Sequence, residues 1–163
     1  MSEKETKEKL VIQSKKHLPE VLVNLFVALL IWLFGVLVFL PTAIEIFPQL
    51  VPLAIDLIVL IAFTLFISRA FDSGFLVLLN SMANVLAYNY KKWKKTETSI
   101  DKLQEIVRNI TYIVVMLVFY FFYSVLLQII HPALNGLMLI LIILWIFLIV
   151  LKSVNILLQR NDM

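Results

Sequence analysis

The sequence predicts an all-α integral membrane protein, with four transmembrane helices arranged as two antiparallel hairpins and an amphipathic interfacial helix joining them. Three observations carry that expectation. Hydrophobic residues make up 62% of the 163 positions, well above the roughly 45–50% of soluble domains. They gather into runs of about twenty residues, and at 1.5 Å per helical residue such a run spans about 30 Å, the thickness of a hydrocarbon core. The third observation is charge. All 14 Lys and Arg residues fall in three segments, and the two apolar hairpins between those segments contain none.

The first basic segment holds Lys4, Lys7, Lys9, Lys15 and Lys16. The second holds Arg69, Lys91, Lys92, Lys94, Lys95, Lys102 and Arg108, and the third holds Lys152 and Arg160. Cytoplasmic segments of membrane proteins carry an excess of Lys and Arg near helix ends. The expected topology in the cell membrane therefore has both termini and the central segment cytoplasmic, with both hairpin tips outside. The net charge of +3 is then a property of inward-facing segments rather than a sign of a nucleic-acid partner.

Residues 1–19 form a polar N-terminal segment, too polar and too long before the first apolar run for a typical cleaved signal peptide. Its Glu3/Lys7 and Glu5/Lys9 pairs at i,i+4 fit a fluctuating helix as well as disorder. Residues 20–70 make the first hairpin. Val21 to Leu40 has Asn24 as its only strongly polar residue and is expected to stay in the mature protein as an anchor. Pro41 and Pro48 in the following PTAIEIFPQL are expected to break the helix and start a turn. A second span runs over about 51–69, interrupted only by Pro52 and Asp56.

Residues 71–109 are read as a cytoplasmic-side connector. Phe75–Tyr90 is apolar but only 16 residues long, and it contains Asn80, Asn84 and Asn89. On a helical wheel Phe75, Leu78, Leu79, Met82, Leu86 and Trp93 share one face, while Ser73, Asn80, Ser81, Asn84 and Lys91 share the other. That is the pattern of a helix lying in a membrane interface or packed on a partner. A continuation of the second span and a re-entrant segment are the alternatives. Thr98-x-x-Asp101 resembles a capping box, leading an amphipathic turn into the third span.

Residues 110–152 make the second hairpin, with spans at Ile110–Ile130 and Leu134–Leu151 around His131-Pro132. Lys152 is placed to snorkel toward the inner headgroups, and 153–163 form a cytoplasmic tail. Glu20-Val-Leu-Val-Asn24-Leu and Glu105-Ile-Val-Arg-Asn109-Ile open the two hairpins, and Pro48 and Pro132 recur at nearly the same offset. A parallel internal repeat about an axis along the membrane normal fits this pattern. So does the chance similarity of any two hydrophobic hairpins.

Three residues are candidates for a polar or ion site in the outer half: Asp56, Glu45 and His131. A carboxylate at the centre of a span costs roughly 2.5–3.5 kcal/mol on insertion scales, so such residues face a bundle interior or a cavity. The plainer reading puts Asp56 near the headgroups, hydrating or capping a helix start loosened by Pro52. For His131 before its proline, an interface role is the plainer reading. Lys91, Lys92, Trp93, Lys94 and Lys95 are candidates for binding the membrane surface, because cations and an indole suit an anionic inner leaflet.

Catalytic patterns are missing. With three glycines there is no Gly-rich phosphate loop and no G-x-S-x-G elbow, and no H-E-x-x-H or acidic metal cluster occurs. The absence of cysteine rules out disulfides, thiolate metal sites and Cys nucleophiles. No cofactor, metal or enzymatic activity is expected, and no family motif stands out. The expected role is a non-catalytic subunit or scaffold of an oligomeric membrane complex, with a homo-oligomer or other membrane subunits as partners besides lipid. The alternative is a homo-oligomeric ion channel or small transporter that uses the outer-half acids. Small residues bring membrane helices close, so Ala28, Gly35, Ala54 and Ala62 make spans one and two the expected site of tight contact.

Overall fold

A computed structural model of the chain describes residues 3–46, 50–94 and 99–158, with side chains from Lys16 onward. Among these residues there is no strand, and the elements are α1 (Glu3–Phe34), a π-helical turn (Gly35–Phe39), α2 (Leu40–Ile46), α3 (Val51–Asp72), α4 (Phe75–Lys94), α5 (Ile100–Ile130) and α6 (Pro132–Leu158). Four stretches are long and apolar enough to cross a membrane: Lys16–Ile46, Val51–Asp72, Ile100–Ile130 and Pro132–Ile156. The expectation of four such helices is met.

The first stretch departs from expectation. Pro41 does not end the helix; α1, the π-helical turn and α2 run on without a break to Ile46. The Leu40 N–H reaches back to the Gly35 carbonyl, one residue further than an α-helix requires. A wider turn placed just before the proline gives its ring room, where an α-helical register would drive it against the carbonyl four residues back. Pro48 lies outside the described residues. In α3, Pro52 sits in the first turn, where its missing N–H has no helical partner to lose.

The core lies where α1, α3 and α5 meet. Ala28, Leu40, Val59, Phe63, Ile67 and Leu126 form its buried cluster, with Trp32, Phe66, Phe119, Phe122 and Tyr123 packed against it. The buried residues of α3 are Pro52, Asp56, Val59, Phe63, Ile67 and Ala70, a stripe at spacings of three and four that forms one helix face. Gly35 lets α3 come close, since a Cβ there would collide with the methyls of Val59. Of the expected small contact residues, Ala28 and Gly35 are buried, Ala62 is half-buried and Ala54 is exposed. The indole N–H of Trp32 donates to the Phe122 carbonyl at 2.9 Å, and the two rings meet edge to face at 5.0 Å. This joins α1 to α5.

α6 packs on α5 and presents leucine, isoleucine and phenylalanine on its remaining faces. The link between them is one residue. His131 is extended, and Pro132 opens the next helix. The His131 N–H donates to the Leu127 carbonyl, and its own carbonyl accepts from Leu134.

α4 packs along α5 and also touches α1 and α3. The sequence pattern leaves open whether its apolar face meets an interface or a partner, and burial divides that face. Ser81, Ala83 and Ala87 are buried, with Asn80, Asn84 and Lys91 half-buried beside them. Met82, Leu86 and Trp93 face outward, 59%, 53% and 81% exposed. Leu78 and Leu79 alone of the apolar face are buried. Small and polar side chains with Leu78 and Leu79 thus make the helix contact, and Met82, Leu86 and Trp93 are left outside.

Candidate functional site

Polar side chains gather at two levels of the bundle. Toward one end lie the three residues that sequence reading grouped, Asp56, Glu45 and His131. Asp56 has no exposed surface, and neither of its carboxylate oxygens has a hydrogen-bond partner. Glu45 is exposed on α2. His131 is exposed and committed to the α5–α6 turn, where its Nδ1 accepts the Ala133 N–H at 3.1 Å. Among the described residues no hydrogen bond or ion pair links the three.

The second level is the opposite end of α1 and α3. A cleft of about 800 Å³ is lined by His17, Pro19, Glu20, Val23, Asn24, Arg69, Asp72 and Ser73. His17 Nδ1 donates to the Ser73 carbonyl at 2.9 Å, and Asn24 Nδ2 donates to the Ser73 hydroxyl at 3.2 Å. The α3–α4 turn needs Gly74, whose φ is +106° and against which the His17 imidazole packs. The Arg69 guanidinium lies 5.2 Å from the centre of the Phe66 ring. Sequence reading did not assemble this cleft, because its two halves are about fifty residues apart. The available signal was local: Glu20 and Asn24 one turn apart, and Arg69, Asp72 and Ser73 within one turn at the end of the paired helix.

An equivalent clasp joins α5 and α6. Asn109 Nδ2 donates to the Ser153 hydroxyl at 3.0 Å, which in turn donates to the Ile149 carbonyl. Lys152 Nζ meets Glu105 Oε1 at 2.8 Å, so this lysine has a protein partner in addition to any headgroup. Each repeat-like Glu-x-x-x-Asn motif therefore places its asparagine on a serine of the following long apolar helix. α4 is tied to the same region by Tyr112, whose hydroxyl donates to Asn80 Oδ1 at 2.7 Å.

Between the two levels the bundle is greasy. One groove of about 250 Å³ is lined by residues including Ala28, Phe63, Phe75, Phe119 and Phe122. Another of about 660 Å³ lies between α1 and α3, lined by residues including Ile31, Phe34, Ile55 and Val59. Neither offers a polar path from one level to the other. The Tyr123 hydroxyl donates to the Thr64 hydroxyl at 3.0 Å, joining α5 to α3.

Of the surface-binding set, Lys91 is half-buried, while Lys92 and Trp93 are exposed. The Lys94 side chain and all of Lys95 lie outside the described residues, as does Thr98. Ser99, not Thr98, is the residue before α5, and its side chain makes no capping bond. No group of three or more metal-ligating side chains comes together among the described residues.

Comparison with family models, curated proteins and solved structures found no match.

Proposed function

We propose that the chain is a non-catalytic, multi-pass subunit or scaffold of an oligomeric assembly in the cell membrane. In this reading α1–α2 with α3, and α5 with α6, are two antiparallel transmembrane hairpins. Both termini, the clasps and α4 lie on the cytoplasmic side, where the basic residues are concentrated. The antiparallel reading is supported by the contacts from Asn24 to Ser73 and from Asn109 to Ser153, each joining the start of one long helix to the end of the next.

One observation carries the subunit reading. In the most apolar windows of the four helices, a single copy buries 17%, 28%, 6% and 6% of the residues in chain order. The chain therefore offers extensive apolar surface to lipid and to other helices, and among the described residues no group of three or more metal-ligating side chains comes together. α4 adds a seat on the cytoplasmic leaflet, with Met82, Leu86 and Trp93 toward acyl chains and Lys92 at the headgroups. The test is the mass of the full chain extracted with its native lipids into polymer discs. The expected particle exceeds the 18.9 kDa of one chain and contains further protein chains. A lone monomer would sink the proposal.

A second reading, a homo-oligomeric channel or small transporter, is favoured by the burial of Asp56 alone. It calls for a symmetric particle in that extraction and a conductance altered by Asp56→Asn.

A further inference from the structure

The buried Asp56 and the π-helical turn stand at the same height in the bundle. Gly35 packs on Val59, which sets the register between the two helices. Asp56 lies three residues before Val59 on the same buried face of α3, about 4.5 Å away along the axis by the helical rise. Because the partner helix runs the other way, this height falls within Gly35–Phe39.

The π-helical turn leaves one backbone oxygen short of a partner. In an α-helix the Val36 carbonyl accepts from the Leu40 N–H. Here that N–H goes to the Gly35 carbonyl. In the π register the Val36 carbonyl accepts from residue 41, which is Pro41 and has no N–H. The Val38 carbonyl close by is served by the Thr42 hydroxyl at 2.7 Å, and Thr42 is the only residue from Gly35 to Thr42 whose side chain can donate. A single carboxylate with both oxygens unpartnered and an orphaned carbonyl thus share one level of a closely packed helix pair. An ionised carboxylate buried without a counter-charge is costly, and so is an unmatched carbonyl.

We propose that Asp56 and the Val36 carbonyl form a site for one monovalent cation, a proton or an alkali-metal ion. Oxygen donors select hard cations, and one carboxylate neutralises a single positive charge. Helix interruptions whose freed carbonyls serve H⁺ or Na⁺ are a recurrent device in membrane proteins. The titratable groups on the elements packed against α3 leave Asp56 to act alone. α1 and the π-helical turn contribute none from Val21 to Phe39. On α2 there is Glu45, which is exposed. On α5, Tyr123 is bonded to Thr64 and Tyr112 to Asn80, Tyr120 is half-buried, and Glu105 pairs with Lys152 at the far end. The ionisable groups of α4 are Tyr88, Tyr90, Lys91, Lys92 and Lys94, in its second half. The site rests on the transmembrane placement of α3 and not on the choice between subunit and channel.

The test uses the full chain in lipid discs, treated separately with a lipid-soluble and a water-soluble carbodiimide, with adducts mapped by mass spectrometry. The expected result is an adduct on Asp56 from the lipid-soluble reagent, while the water-soluble reagent modifies Glu45 and the other exposed carboxylates and leaves Asp56 unmodified. A tenfold or greater slowing by Na⁺ or K⁺ at constant pH identifies an alkali-metal site. Slowing by raised pH alone, indifferent to both salts, identifies a proton site. Pro41→Ala restores a backbone N–H to the turn, and the cation concentration for half-protection should then rise about tenfold. No adduct on Asp56 at any pH or salt, with Glu45 still modified, overturns the proposal, and an unchanged Pro41→Ala profile overturns the part assigned to Val36. Equal modification of Asp56 and Glu45 by the water-soluble reagent overturns the placement of α3, and the site with it.

Discussion

Gly35 packs against Val59 with no room for a side chain: a methyl group on the glycine would lie 2.8 Å from Val59 Cγ2, well inside contact distance. Gly35→Ala should therefore destabilise the chain by roughly 1–3 kcal/mol, the usual range for overpacking. The ordinary helix preference for alanine over glycine works in the other direction. Gly136→Ala is the matched control, because a Cβ there meets nothing within 4 Å. Denaturation in detergent, compared between the two variants, checks this. Equal stability of both would mean that α1 and α3 are not so closely apposed.

Gly74 serves a different need. Its φ of +106° lies where L side chains are strained, and the His17 ring occupies the space a Cβ would take. Gly74→Ala should cost about 1–2 kcal/mol from backbone conformation alone, with a further loss as His17 is displaced from the Ser73 carbonyl. Combining it with His17→Ala should remove the steric part and leave the conformational part. A double-mutant cycle separates the two, and strict additivity would show that the imidazole is not held at the turn.

How much of this was legible beforehand varied with the kind of signal. The four long apolar helices were readable because hydropathy over about twenty residues is a direct statement of length against bilayer thickness. The end of the first helix was misread because a proline signals a missing hydrogen bond, while the π register at Gly35–Phe39 that absorbs it carries no sequence signal of its own. The apolar face of α4 was drawn as one surface, but a wheel does not say whether such a face meets protein or lipid. Leu78 and Leu79 on it are buried, while Met82, Leu86 and Trp93 are exposed. Here Asn80, Ala83, Asn84 and Ala87 take the protein side. The cleft of His17, Asn24, Arg69 and Ser73 was missed since each half is unremarkable until the antiparallel pairing joins them. Asp56 was flagged by its chemistry, whereas its complete burial was a tertiary fact.

Asn24 and Asn109 invite a paired experiment. Each donates to a serine on the next long apolar helix, at 3.2 Å and 3.0 Å, and hydrogen bonds between membrane helices average about 0.6 kcal/mol. Asn24→Ala and Asn109→Ala should each lower stability by about that amount, and the double variant by the sum, because the two clasps share no residue. Unfolding of the three variants in lipid micelles measures it. A loss above about 2 kcal/mol at either position exceeds what one such bond supplies and would assign that asparagine a wider role in the fold.

The outward face of α4 makes the most direct claim about how the chain sits in lipid. Trp93 is 81% exposed, next to the exposed Lys92 and on the same face as Met82 and Leu86. An indole in that setting belongs at the headgroup level, with its apolar edge toward acyl chains and the lysine amine toward phosphate. With Trp32 and Trp145 replaced by phenylalanine, Trp93 should be quenched most by lipids brominated near the headgroup and least by those brominated at the chain end. Trp32, alone in the converse variant, is half-buried against Phe122 and should be shielded from both. Adding Lys91→Glu and Lys92→Glu reverses the charge beside the indole, so quenching of Trp93 in anionic membranes should fall, and fall less in zwitterionic ones. If Trp93 fluoresces as in water and is quenched by aqueous iodide alone, α4 stands clear of the bilayer. Its apolar face must then be covered by another protein.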